Sequence, residues 1–87
     1  MALVNIKPVE ASVRWDRRAD RPSRIRLADR DLTVTNLAAR RDELAAFPAD
    51  RGPRVIYLVD TDDGGRASLV FDGRRRRWFV EALEAAA

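Results

Sequence analysis

Two apolar runs, residues 54–59 and 66–71, are joined by the short turn Asp60-Thr61-Asp62-Asp63-Gly64-Gly65. A third apolar run, in the strand expected over 76–83, begins at Trp78 directly behind Arg74, Arg75, Arg76 and Arg77. Connections this short return a chain antiparallel to itself. Asp and Gly suit them because both tolerate positive φ. The 54–83 stretch holds four of the six aromatic residues, so the rest of the chain must pack on it or beside it. Run 54–59 is apolar on both faces, which marks a central strand. Val55, Tyr57, Val59, Leu69, Phe71, Trp78 and Val80 are the expected core.

Upstream the same period recurs. Val9, Ala11, Val13 and Trp15 alternate with Glu10, Ser12, Arg14 and Asp16, the pattern of a half-buried strand. Pro8 fits just ahead of it, where no ladder donor is needed. Arg24-Ile25-Arg26-Leu27 and Leu32-Thr33-Val34-Thr35 alternate again, and the polar connection 28–31 makes them a hairpin. Then the period changes. Leu37, Leu44 and Phe47 recur at helical spacing among good helix formers, Asn36 is a plausible N-cap and Pro48 a stop. The spacing predicts a helix over 37–46; the alternative is a third strand that runs on through Leu37 into a loop. Residues 49–53 read as a turn-rich connector.

Together these elements predict a mostly β domain, bordering on α+β. Five to six antiparallel strands curl into a barrel or half-barrel, with one short helix near residues 37–46 plugging a side. A flat sheet with the helix on one face is the alternative. A chain of 87 residues is one domain by size. Residues 1–8 form an N-terminal arm and 84–87 a frayed tail or one helical turn. The longest clean apolar run, 55–59, is far short of a membrane span. The first ten residues lack the basic start and apolar core of a signal peptide. With no cysteine as well, the expected location is the cytoplasm and no membrane partner is implied.

The composition argues against most chemistry. There is no His and no Cys, and the single lysine is Lys7. Ser12, Ser23 and Ser68 have no base nearby in sequence, and nothing pairs the carboxylates in a cleft. An enzyme is therefore not expected, and neither a cofactor nor a small-molecule substrate is evident. Asp60, Asp62 and Asp63 resemble the opening of a calcium loop. However, the twelfth position would be Phe71 and the flanks are strands, so no metal site is expected. Gly64, Gly65 and Gly73 match no phosphate-loop spacing and read as hairpin glycines.

The basic residues carry the functional expectation. The net charge is +3, built from 16 arginines and Lys7 against 14 acids. The preference for arginine over lysine reads either as phosphate contact or as the codon usage of a GC-rich genome, so position matters more than number. Arg14, Arg17, Arg18, Arg21, Arg24 and Arg26 crowd thirteen residues, and Arg74, Arg75, Arg76 and Arg77 are uninterrupted. Guanidinium forks match phosphate oxygens, so Arg17, Arg18, Arg21, Arg74, Arg75, Arg76 and Arg77 are candidates for contact with the backbone of DNA or RNA. The competing reading is a pair of solvated hairpin ends that guard sheet edges. Topology bears on the choice. If strand 4 runs antiparallel to strand 3, the two basic stretches share one end of the sheet and the acidic 60–65 turn lies at the other. If it runs parallel, they separate. A second functional class is a protein-interaction or accessory domain, homodimeric or docked on a larger partner. The aromatics Trp15, Tyr57, Phe71 and Trp78 fall on positions expected in the core, with Phe79 on the opposite face.

The spacing Pro22-x-x-Ile25-x-Leu27-x-x-Arg30-x-Leu32-x-Val34, followed by Gly65-Arg66, Leu69-Val70-Phe71-Asp72 and Arg77-Trp78-Phe79-Val80, resembles a family of short, uncharacterised β domains from high-GC bacteria. The resemblance implies a compact antiparallel β domain over about residues 22–83 and carries no activity or site residues. Leu27 and Leu32 depart from it, since that family has aromatics there more often.

Overall fold

A computed structural model describes residues 3–43 and 53–84. Six strands follow in order: β1 (Val4–Asp16), β2 (Arg21–Arg26), β3 (Asp31–Glu43), β4 (Arg54–Thr61), β5 (Arg66–Asp72) and β6 (Arg77–Glu84). Each pairs antiparallel with its neighbour in sequence, and β6 pairs with β1, so the sheet closes into a barrel. Closure removes most of the free edge that a flat sheet of this size would present.

The barrel is built around two long strands that each serve two partners. β1 pairs with β6 from Val4 to Ala11 and with β2 from Ser12 to Asp16. β3 pairs with β2 from Asp31 to Thr33 and with β4 from Val34 to Glu43. The interior is filled by side chains, as expected for so few strands. Ile25, Val59, Ala67, Leu69 and Val80 are fully buried, with Leu27, Leu32, Val34 and Tyr57 almost so. Ile6, Ala11, Val13, Leu37, Val55, Trp78 and Leu83 pack around them. Burial of a side chain such as Leu69 contributes about 1.5–3 kcal/mol relative to exposure.

Part of the outer face is covered. Arg54 of β4 and Glu81 of β6 form an ion pair at 2.6 Å that spans β5, the strand between them. Outward-facing Val70 of β5, flanked by Ile56 and Phe79 in the register, is only 2% exposed.

Three expectations are corrected. Residues 37–43 are strand rather than helix, because they pair with β4 from Val59 back to Arg54. Residues 44–46 of the expected helix lie outside the described residues. Two register shifts, at Val34/Asn36 and Leu37/Ala39, break the period-two pattern there, so the local composition favours a helix that the ladder overrides. Residues 4–8 belong to β1 rather than to an arm. Pro8 is accommodated at a register shift between Asn5 and Val9, where its missing N–H costs no ladder bond. Glu84 closes β6 rather than opening a tail, and 85–87 lie outside the described residues.

Candidate nucleic-acid interface

Strand 4 runs antiparallel to strand 3. In this meander successive connections alternate between the two ends of the barrel. The 17–20 and 73–76 turns therefore share one end. The 27–30 and 62–65 turns share the other, with Asp62 and Asp63.

The two basic turns are built alike. In the first, Asp16 Oδ1 accepts hydrogen bonds from the amides of Arg18 (2.9 Å) and Ala19 (3.2 Å). In the second, Asp72 Oδ1 accepts from the amides of Arg74 and Arg75, both at 3.0 Å. Each turn closes on a left-handed residue, Asp20 at φ 53° and Arg76 at φ 56°, the only non-glycine residues with positive φ among those described. An arginine, Arg21 or Arg77, then begins the next strand. The shared pattern is Asp-x-Arg-x-x-Arg. It stands in the sequence at 16–21 and again at 72–77, and reading the arginines as clusters missed it.

The bases of the two turns touch through their aromatics. Trp15 and Trp78 lie with ring centroids 6.4 Å apart, and both contact Tyr57, at 5.8 and 5.6 Å. Phe71 joins Trp78 at 4.9 Å. These rings stop this end of the barrel. Arg40, brought inward by the β3 register shifts, sits 5.5 Å over the Tyr57 ring, a cation–π contact. Burial pushes the Tyr57 phenol above its ordinary value, with Arg40 pulling the other way. Trp15 is not the core residue expected. It is 37% exposed. β6 begins at Arg77, next to Trp78, the partner of Ala11, so β1 runs on past it, and Trp15 is covered on one side only. Phe71 and Trp78 are half-buried, and Tyr57 is buried as expected.

The seven candidate arginines differ in how they are engaged. Arg77 pairs with Glu10 at 2.8 Å, and Arg21 Nη1 donates to the Val34 carbonyl at 3.3 Å. Arg75 lies 4.0 Å from Asp72, the edge of an ion pair. Arg74 is exposed and has its own partner. The guanidinium groups of Arg17, Arg18 and Arg76 have no acidic partner among the described residues, and all three are exposed. The stagger between the turns follows from register. β1 extends from Ser12 to Asp16 beyond the start of β6, about 13 Å at the usual strand rise.

At the far end the carboxylates are consumed by the fold. Asp60 accepts from Arg66 and Asn36, which hold it below the usual carboxylate range. Asp63 accepts from Thr61 Oγ1 and the Gly65 amide and is lowered for the same reason. Asp62 exchanges two hydrogen bonds with Thr33, tying the turn to β3. The turn is thus an acidic hairpin whose oxygens already serve protein donors.

No family model matches the chain, and comparison with the curated proteins and with the solved structures gives no match either.

Proposed function

We propose that this protein is a non-enzymatic basic β-barrel module. It contacts the phosphate backbone of DNA or RNA through the rim bearing Arg17, Arg18, Arg21, Arg74, Arg75, Arg76 and Arg77. The observation that carries the reading is the pair of like-built turns at one end of the barrel, with the guanidinium groups of Arg17, Arg18 and Arg76 exposed and without an acidic partner among the described residues. Charge held on hydrogen-bonded turns and turned to solvent suits phosphate contact, which needs position but no base readout. Electrophoretic mobility of a labelled oligonucleotide at low and moderate salt tests it. A shift that weakens with salt is expected. An unshifted oligonucleotide at tens of micromolar protein and low salt would end the proposal, because electrostatic binding is strongest there.

One observation favours a second reading, a self-associating module. β1 pairs with β2 only from Ser12 onward, so its earlier half has one side without a ladder partner among the described residues. Val4 and Val9 on that half are 60% and 40% exposed. A second copy could add a strand there. Light scattering on a size-exclusion column distinguishes a dimer from a monomer, and a strict monomer removes this reading.

A further inference from the structure

The outer face of the β1–β2 hairpin carries an arrangement that folding alone disfavours. Arg14 and Arg24 are direct cross-strand partners. Residues so placed have Cβ atoms about 5 Å apart, and like charges directly opposite each other destabilise a sheet. Neither guanidinium has an acidic partner among the described residues, and both side chains are exposed. Arg26 lies two residues along β2, opposite Ser12. The acids at flanking positions are already engaged: Asp31 by Arg26 at 3.2 Å and Glu10 by Arg77 at 2.8 Å. Ser12, Val13, Arg14, Arg24 and Arg26 line an open cavity of about 260 Å³.

We infer that this cleft is a binding site for a compact oligophosphate group, a free di- or triphosphate or the phosphate-ester end of a small molecule. With Arg26 paired to Asp31, the Arg14 and Arg24 guanidinium groups still leave more positive charge at one cavity than a single diester phosphate can balance, and a small polyanion matches them. Arginine suits the task because its planar fork binds phosphate oxygens in pairs. The Ser12 hydroxyl adds a donor. The cavity is near the lower end of the range for small-ligand sites, roughly 300 Å³. An anion seated there would relieve the Arg14–Arg24 repulsion. The exposed Arg26–Asp31 pair, weak in itself, holds Arg26 beside the cleft and yields little on exchange for phosphate. The cleft lies on the barrel wall and shares no residue with the rim turns, so it stands or falls separately from the proposed nucleic-acid contact.

The test is a titration at low ionic strength followed by two-dimensional NMR, with tripolyphosphate in one arm and a short oligodeoxythymidylate in the other. Saturable shifts at the amides and arginine Nε–Hε groups of Ser12, Arg14, Arg24 and Arg26 are expected with tripolyphosphate. Arg24→Gln should weaken that response at least tenfold. Without ligand it should raise the melting midpoint by about 2–4 °C at low salt, since it removes the repulsion. Arg14→Gln should do the same. Tripolyphosphate shifts confined to the 17–20 and 73–76 turns would overturn the inference, as would an Arg24→Gln variant that binds like the parent. Cleft shifts with the oligonucleotide alone would also overturn it, by making the cleft a backbone-phosphate surface.

Discussion

Arg76 holds a left-handed backbone at φ 56°. Only glycine takes that conformation without a Cβ penalty, so the turn carries about 1 kcal/mol of strain in order to place an arginine there. Arg76→Gly should therefore raise the stability by about 1 kcal/mol in urea denaturation while weakening oligonucleotide binding. A destabilised variant would mean that the side chain, and not the backbone, sets the local energy. At the opposite end Asp60 and Asp63 sit below the ordinary carboxylate range, through Arg66 and Asn36 for the one and Thr61 and Gly65 for the other. Their folded values lie below their unfolded ones. The stability they contribute is therefore complete above the unfolded value, about pH 4, and is lost as pH falls through the lowered folded values. Denaturation midpoints should drop below about pH 4, and Asp63→Asn should flatten that fall. An unchanged acid profile in the variant would show that the Asp63 hydrogen bonds do not hold the turn. Gly65 is constrained more simply, since a Cβ there would meet the Glu84 carbonyl oxygen.

The turns are the elements on which the account rests, and their equivalence can be measured. Asp16→Ala and Asp72→Ala should each cost about 1 kcal/mol by removing an acceptor shared by two amides. Hydrogen exchange should accelerate at Arg18 and Ala19 in the first variant and at Arg74 and Arg75 in the second. If one substitution is neutral, the turns are not built alike. The strands themselves were legible in the sequence wherever alternation was unbroken: Val9 to Trp15, the 24–35 hairpin and the three runs after Arg54. Legibility failed where register shifts erase the period. Residues 37–43 have helix-forming composition, and only the β4 ladder, a contact distant in sequence, makes them a strand. Pro8 and its register shift hid the first half of β1 in the same way. The seven rim arginines were visible as residues. Their presentation was not, because the Asp-x-Arg-x-x-Arg pattern acquires meaning only once Asp16 and Asp72 are seen anchoring their turns. The Arg14–Arg24 opposition was hidden for a related reason, since it depends on the register between β1 and β2.

Across the whole molecule, the all-antiparallel meander decides where charge goes. It gathers the 17–20 and 73–76 turns at one end, stopped by Trp15, Tyr57, Trp78 and Phe71, and sends Asp62 and Asp63 to the other. A parallel β3–β4 pairing would have separated the arginines with the same sequence. The barrel is thus a scaffold whose topology polarises it. If both turns address one phosphate backbone, the salt dependence of oligonucleotide binding must report both of them. Fluorescence anisotropy would compare the parent with Arg18→Gln, Arg76→Gln and the double variant. Each single variant should lower the slope of log K against log salt by about 1, and the double variant should lower it by about 2. Binding absent at low salt, or a slope unchanged by either substitution, would contradict contact of both turns with one backbone.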